Sequence, residues 1–238
     1  MLSLDNVTLL SIAGSNKYVE PTKRAMRHCL KRVSFARTVL FSPEEDDEFE
    51  NIKIPYLDTA LYNKFCVEKL NDYVDTDFCL IVQWDGFVID TNFWKDEFLD
   101  YDYIGSPWAS HGFKIGNGGF SLRSKKFLKL SSELKYASDS HLKNGISPTQ
   151  FVHGTICPED WFLCVDNADY LHKNNVLFPS PELAYDFSVE HQGVGVLPGH
   201  EDKGEWVCKT FNPTKIETYQ SFGFHGVFNT AGMKELLK

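Results

Sequence analysis

The first 82 residues alternate between apolar runs and segments of helical periodicity, and this alternation constrains the fold more than any other feature. The apolar runs 7–13, 36–41 and 78–83 predict buried strands, and helices are predicted between them at 21–33 and 58–73. Strand, helix, strand, helix, strand is the pattern of a parallel sheet built from right-handed crossovers. The sequence therefore predicts an α/β fold whose first half has the arrangement of a nucleotide-binding domain.

The second part of the sequence loses this alternation. Short motifs rich in glycine, proline and tryptophan occur at 103–108, 116–123 and 158–163, and helices are predicted at 124–134 and 160–174. No Pro/Gly/Ser-rich linker divides the 238 residues. We therefore expect one domain over 1–238, with a first half of about 1–115 and a second half of about 116–238.

The charge of the chain excludes one class of partner. The net charge is −9 and the basic clusters are short, whereas a nucleic-acid surface needs clustered lysine and arginine. We therefore expect no nucleic-acid partner.

The cysteines and the N-terminal residues predict the compartment. Six cysteines are scattered without a CxxC pair, which is typical of free buried thiols in a reducing compartment, so a cytoplasmic location is expected. The apolar segment 7–13 is too short for a signal peptide or a membrane span. No transmembrane segment is predicted, and any membrane contact would be peripheral.

Four elements carry side chains suited to chemistry, and the first is Gln83-Trp84-Asp85 at the end of the third predicted strand. Ligands bind at this end of the strands in an open α/β sheet. A carboxylate there can reach both a hard cation, such as Mg²⁺ or Mn²⁺, and a bound diphosphate. An aspartate before Gly86 is equally suited to capping a turn.

The second element is the glycine-rich segment Gly116-Asn117-Gly118-Gly119. Its glycines let the backbone pass close to a ligand, and a tight hairpin or a bulge would account for them as well. The segment lacks the lysine of a phosphate-binding P-loop and does not follow a first strand, as a dinucleotide-binding fingerprint does.

The third element is the acidic pair Glu159-Asp160. One carboxylate of such a pair can act as a general base while its neighbour binds the nucleophilic hydroxyl. The alternative is that both carboxylates stabilise the N-terminal turn of a helix.

The fourth element is His225, which lies between glycines and aromatic residues in Phe222-Gly223-Phe224-His225-Gly226. Neutral imidazole is a common metal ligand, although a lone histidine more often has a structural role. The chain has no HExxH zinc motif and no GxSxG nucleophile elbow, so neither a zinc protease nor a serine hydrolase is predicted.

Taken in this order, the motifs resemble those of the GT-A superfamily of nucleotide-sugar glycosyltransferases. More closely, they are similar to a family of small bacterial and viral glycosyltransferase-like domains placed near that superfamily, through the strings QWDGFVID, DYDYIGSPW, GNGGFSLRS, PEDWF, FSVE and FGFHG. The resemblance spans about residues 77–226. It implies a Rossmann-like GT-A fold with a mixed central sheet flanked by helices, in which the first half holds the nucleotide and the second half the acceptor.

The resemblance also implies roles for individual residues. Asp85 would bind Mn²⁺ or Mg²⁺ on the donor diphosphate and His225 would complete the metal site, although Gln83 replaces the first acid of a DxD-type motif. Asp160 would deprotonate the acceptor hydroxyl, and Glu159 would be its catalytic partner and bind the acceptor. The other implied contacts are Ala13, Gly14, Gln83, Trp84, Asn117, Gly118 and Gly119 for the donor, and Trp108 and Trp161 for the acceptor.

The predicted function is the metal-dependent, inverting transfer of a sugar from a nucleotide-diphosphate sugar to a hydroxyl of a glycan or glycoconjugate. A UDP-sugar is favoured through analogy with the superfamily, on whose fold retaining transfer also occurs. Two other functions stay open: an inactive carbohydrate-binding protein on the same scaffold, and a nucleotidyltransferase.

Overall fold

A six-stranded sheet forms the centre of the computed structural model, which describes residues 1–108, 114–140, 156–190, 194–196, 206–208 and 221–226. The strands are β1 (Leu2–Ile12), β2 (Val33–Ser42), β3 (Glu50–Lys53), β4 (Phe78–Val82), β5 (Gly86–Val88), β6 (Tyr103–Ile104), β7 (Pro107–Trp108), β8 (Lys114–Ile115), β9 (Phe120–Ser124), β10 (Ser188–Val189), β11 (Val194–Val196), β12 (Trp206–Cys208) and β13 (Gly223–His225). The central order is β3-β2-β1-β4-β9-β6. The first four of these strands are parallel, and β9 runs antiparallel to both of its neighbours. The predicted α/β class with a mixed central sheet is thus confirmed.

Helices cover both faces of this sheet, which explains the continuous apolar runs of its strands. On one face, α1 (Asn16–Leu30) packs in an apolar cluster with Leu9 and Leu80. On the other face, α2 (Thr59–Glu68) packs in a second cluster with Leu10 and Ile81. Successive residues of a strand point to opposite faces, so each strand contributes to both clusters.

The first helix begins earlier than the periodicity predicts. The prediction was 21–33, whereas α1 starts at Asn16, after Ser15 in an extended conformation. Pro21 therefore lies inside the helix, where it removes one backbone hydrogen bond but leaves the buried face of Ala25 and Met26 intact.

The second predicted helix, 58–73, is divided in two. Asp58 caps α2 by accepting a hydrogen bond from the Leu61 N–H at 2.8 Å, as its position at the predicted start suggests. A 3₁₀ turn then covers Leu70–Tyr73. The edge strand β3 was not predicted, because its sequence Glu-Asn-Ile-Lys is mostly polar and only partly buried.

The second part of the chain consists of short elements. The helices among its described residues are α3 (Lys125–Glu133), α4 (Glu159–Trp161), α5 (Ala168–Lys173) and α6 (Pro181–Phe187), with 3₁₀ turns at Thr91–Phe93 and Asp96–Asp100. The predicted helix 160–174 is interrupted by a π segment, Phe162–Asp166, because the Asn167 N–H donates to the Phe162 carbonyl five residues back. A small sheet in the order β10-β13-β5 completes this part.

Two predictions about the environment can be compared with the structure. Cys29, Cys66, Cys79 and Cys164 are free and buried, Cys157 is buried, and the side chain of Cys208 lies outside the described residues. Among the helices of the described ranges, none has the length and apolar character needed to cross a membrane.

Candidate functional site

Asp85 lies in a tight turn between β4 and β5. The turn is closed by a hydrogen bond from the Gly86 N–H to the Gln83 carbonyl at 3.1 Å, and the Gln83 N–H donates to the Gly119 carbonyl at 2.9 Å. The Asp85 side chain is buried. A buried carboxylate requires a compensating partner, because desolvation disfavours its charged form.

His225 supplies that partner. β13 pairs antiparallel with β5, which places His225 opposite Gly86, and the Gly226 N–H donates to the Asp85 carbonyl at 3.1 Å. His225 Nε2 then lies 3.3 Å from Asp85 Oδ1. The structure therefore brings together the two residues predicted to bind a metal, although they are far apart in the sequence.

Gln83 joins the same cluster from the other side. Its Nε2 donates to the Tyr62 hydroxyl at 2.7 Å, so its Oε1 is free to accept a hydrogen bond from His225 Nε2 at 3.1 Å. Burial alone would lower the pKa of His225, but the carboxylates of Asp85, Glu190 and Asp160, with Asp85 contributing most, together raise that pKa to about 8.

The geometry of Asp85, His225 and Gln83 fits a cation that is shared with a substrate. Asp85 Oδ1 is buried and accepts no well-aligned hydrogen bond within the described ranges. No cluster of three or more His, Cys, Asp or Glu side chains suited to a metal occurs in that part of the chain. Mg²⁺ commonly binds through one or two carboxylates and takes its other ligands from phosphates and water. Asp85 and His225 are therefore the side chains of this cluster that could hold a cation, if phosphate and water supplied its other ligands.

The glycine-rich segment packs against the side chains of this site. A Cβ atom on Gly119 would lie 2.1 Å from His225 Nε2, and one on Gly118 would lie 1.8 Å from Glu159 Oε1. Asn117, the residue before Gly118, adopts a left-handed backbone conformation with φ of 66°. The two glycines are thus needed for close packing within the protein, in addition to any contact with a donor.

The acidic pair divides into one buried and one accessible carboxylate. Glu159 is buried and accepts a hydrogen bond from Arg123 Nη2 at 2.8 Å, while Asp160 is partly exposed. Burial raises the pKa of Glu159, and the Arg123 charge opposes that rise. Asp160 accepts hydrogen bonds from the Gly118 N–H at 2.9 Å and from the Trp161 N–H at 2.7 Å. Asp160 is thus the more accessible carboxylate, while Oε1 of Glu159 is paired with Arg123, and the roles of Asp160 as base and of Glu159 in acceptor binding stay predictions.

The remaining predicted donor residues lie at the carboxyl ends of β1 and β4, which are neighbours in the sheet. Ala13 is buried and its N–H donates to the Phe41 carbonyl at 2.8 Å, while the Gly14 carbonyl accepts from the Leu57 N–H at 2.8 Å. The partly exposed Trp84 ring stacks on Tyr18 of α1, with centroids 5.9 Å apart. These residues therefore share one edge of the sheet with Asp85.

The two tryptophans predicted to contact the acceptor stack on each other. Their ring centroids lie 5.8 Å apart with an interplanar angle of 30°. Trp161 is 4% exposed and belongs to the core, so its ring does not offer a free face to a sugar. Trp108 is partly exposed and covers Gly116. Trp108 is therefore the more accessible of the two rings, and the acceptor contacts of both stay predictions.

Four further side chains, which were not predicted from the sequence, hold the site together: Tyr62, Asn63, Ser121 and Arg123. Tyr62 and Asn63 are consecutive in α2 and reach Gln83 and the Glu159 N–H, respectively. Ser121 and Arg123 alternate along the buried strand β9. An arginine within a buried strand was the signal available in the sequence, because a charge is rarely fully buried without a partner.

Solved structures provide one comparison. A glycosyltransferase involved in the glycosylation of the major capsid of PBCV-1 is 13% identical, with a TM-score of 0.48, over 97% of this chain and 98% of that chain. The apo-form glycosyltransferase GlyE of Streptococcus pneumoniae TIGR4 is 13% identical, with a TM-score of 0.45, over 91% of this chain and 53% of that chain. A197 from STIV is 14% identical, with a TM-score of 0.35, over 66% and 75%.

Sequence comparison gives a family. No curated protein matches the chain significantly. The sequence profile of one family matches residues 39–198, which is about two thirds of the chain and includes the strand-end aspartate, the glycine-rich segment and the acidic pair. The chain therefore belongs to the family described as "Protein of unknown function (DUF5672)".

Proposed function

We propose that this protein is a glycosyltransferase that moves a sugar from a nucleotide-diphosphate sugar, preferentially a UDP-sugar, to a hydroxyl of a glycan acceptor. In this proposal Asp85 and His225 hold Mn²⁺ or Mg²⁺ on the donor diphosphate, and Asp160 is the general base. The observation that carries the proposal is the convergence of Asp85 and His225, with Nε2 and Oδ1 3.3 Å apart, at the sheet edge where α/β proteins bind ligands.

A single in-line displacement fits the placement of the carboxylates. Asp160 would take the proton of the acceptor hydroxyl, whose oxygen attacks the anomeric carbon while the bond from that carbon to the diphosphate oxygen breaks. The nucleoside diphosphate leaves and the anomeric configuration inverts. A bound cation would stabilise the negative charge that develops on the diphosphate. The two backbone N–H groups that bind Asp160 hold its carboxylate in one orientation, which favours proton transfer.

The side chain of Asn117 supports a donor site beside the glycine-rich segment. Its side chain is 3% exposed, and neither Oδ1 nor Nδ2 has a hydrogen-bond partner in the described part of the chain. An unpaired buried amide costs free energy, so a position of this kind favours a ligand that supplies both a donor and an acceptor. The hydroxyl groups of a sugar meet that requirement.

The test is turnover of a panel of nucleotide sugars with Mn²⁺, in the presence of glycan acceptors. We expect release of a nucleoside diphosphate that EDTA abolishes, and loss of both Mn²⁺ binding and turnover in Asp85→Asn and His225→Gln. Asp75→Asn is the matched control, because the Asp75 side chain is 91% exposed.

Three results would replace the proposal. Full Mn²⁺ binding and turnover in Asp85→Asn would show that Asp85 is not the metal ligand on which turnover depends. Release of pyrophosphate from a nucleoside triphosphate would indicate a nucleotidyltransferase. Sugar binding that is unaffected by EDTA, without turnover, would indicate a carbohydrate-binding protein.

A further inference from the structure

Arg123 is a fully buried cation close to the proposed base. It lies on β9 with none of its side chain exposed, and its guanidinium carbon lies 5.2 Å from the centre of the Tyr103 ring. Nη2 donates to Glu159 Oε1 at 2.8 Å, and Nε donates to the Ser121 hydroxyl at 3.1 Å. The guanidinium therefore donates one hydrogen bond to Glu159 of α4 and another to Ser121 of its own strand.

Each of these two hydrogen bonds begins a chain of contacts that ends at Asp160. Along the first, Arg123 holds Glu159, the residue that immediately precedes Asp160. Along the second, the Ser121 hydroxyl donates to the Gly118 carbonyl at 3.2 Å, and the Gly118 N–H donates to Asp160 Oδ2 at 2.9 Å. Arg123 thus closes a ring of contacts in which Asp160 is the only partly exposed carboxylate.

The backbone of Glu159 is held as well as its side chain. Its N–H donates to Asn63 Oδ1 of α2 at 3.2 Å, and the Gly118 backbone packs against its Oε1 so closely that no Cβ would fit there. The start of α4 is consequently fixed at three points, by α2, by Gly118 and by Arg123.

The chemistry of arginine suits this arrangement. Desolvation of a buried ion pair offsets much of its attraction, so the pair is a poor device for stability alone. The planar guanidinium, however, presents its N–H groups in fixed directions, which a lysine ammonium cannot reproduce. Arg123 is therefore suited to setting an orientation rather than to adding stability.

We propose that Arg123 is a positioning residue that orients the Asp160 carboxylate through Glu159 on one side and through Ser121 and Gly118 on the other. The inference rests on the proposed function for its kinetic consequence, and on the contacts alone for its structural consequence. Arg123 touches neither substrate nor cation in this assignment.

The test compares crystal structures and kinetics of Arg123→Lys and Ser121→Ala with those of the unaltered protein. We expect Asp160 Oδ2 to leave the Gly118 N–H in Arg123→Lys, and kcat to fall about 100-fold, since displacement of a catalytic group by about 1 Å has an effect of that order. The KM for the nucleotide sugar and the Kd for Mn²⁺ should change by less than about twofold, because the interactions that bind them are retained. Arg37→Lys is the matched control, as Arg37 pairs with Glu50 in a partly exposed ion pair at the edge of the sheet.

Normalising kcat to the number of nucleotide-sugar binding sites separates positioning from a loss of folded protein. An Asp160 that keeps its place in Arg123→Lys, with kcat unchanged per binding site, would overturn the inference. If Arg123→Lys fails to fold, the same measurements on Ser121→Ala decide whether Asp160 is positioned in this way. This variant removes a single hydroxyl and with it the contacts that connect Arg123 to Gly118. If the unaltered protein transfers no sugar, the proposed function fails, and the position of Asp160 in the variant crystals still decides the role of Arg123.

Discussion

Residues 2–82 and residues 83–225 build the molecule in different ways. The first region contains the longest elements, with β1 and β2 of 11 and 10 residues and α1 of 15, and its strands β1, β2 and β4 contribute to the apolar clusters on both faces of the sheet. Where the structure describes the second region, its strands have two to five residues and one helix is interrupted. It nevertheless contains the proposed metal ligands, the proposed base and the buried ion pair. The difference teaches that the first region supplies stability and a sheet edge, while the second places the charged groups at that edge.

The largest expected effect is on activity, in the second region. Asp160→Asn removes the proposed base while keeping the size of the side chain, so kcat should fall by about 10²- to 10⁴-fold. The unfolding midpoint should stay close to that of the unaltered protein, because Asp160 is only partly buried. Steady-state kinetics and thermal unfolding measure the two effects, with Asp75→Asn as the surface control. Equal turnover by Asp160→Asn would break the proposed separation of functions between the regions.

The next effect is on stability, in the first region. Leu9 is completely buried at the centre of β1, and Leu9→Ala should lower the free energy of unfolding by about 2–5 kcal/mol, through lost burial and the cavity left behind. Urea unfolding measures this loss, and kcat per folded molecule should not change. Leu177, which is 54% exposed, provides the control, since Leu177→Ala should cost less than about 0.5 kcal/mol. A large fall in kcat per folded molecule for Leu9→Ala would contradict the comparison.

A third effect concerns the pH dependence of stability. Burial, assisted by the charges of Arg32 and Lys31, lowers the pKa of His28 from 6.5 to about 4. The unfolded chain therefore binds more protons than the folded one between these values. The contribution of neutral His28 to the free energy of unfolding is therefore fully present above pH 6.5. It is lost as the pH falls toward 4, by at most about 3 kcal/mol.

Chemical unfolding of His28→Leu at several pH values tests this source of acid sensitivity. The variant should lose that part of the slope, while His172→Gln, at an exposed histidine of α5, should keep it. An unchanged slope in His28→Leu would place the acid-sensitive groups elsewhere.

The smallest effect is expected for the surface ion pairs of α1. Arg27 donates to both carboxylate oxygens of Glu48, at 2.5 and 2.6 Å, and its side chain is 37% exposed. Arg27→Ala should reduce the free energy of unfolding by about 0.2–1 kcal/mol, and less at about 1 M salt, because exposed pairs are screened. Arg24→Ala is the control, as Arg24 is exposed and forms no ion pair within the described residues. A loss larger than that of Leu9→Ala would reverse the order of the two effects.

The fold could be predicted wherever the sequence pattern reflected burial. The strands β1, β2 and β4 were predicted because both of their faces are apolar, and α2 because apolar residues recur along 58–73 at helical spacing. β3 was missed because an edge strand need not be apolar, and its residues are mostly charged or polar. The interruption at Phe162–Asp166 was missed because its residues are as apolar as those of a regular helix.

The residues of the candidate site that come from the motifs could also be named from the sequence, but the residues that contact them in the folded protein could not. The sequence by itself determined an α/β sheet with Asp85 at the end of a buried strand, since strand pattern and strand end are local properties. Only the tertiary structure decided that His225 lies beside Asp85, that Glu159 is enclosed by Arg123, and that Asp160 stays accessible. These relations depend on the pairing of β13 with β5 and on the packing of α4 against β9, and contacts between residues far apart in the chain leave no local pattern from which they can be predicted.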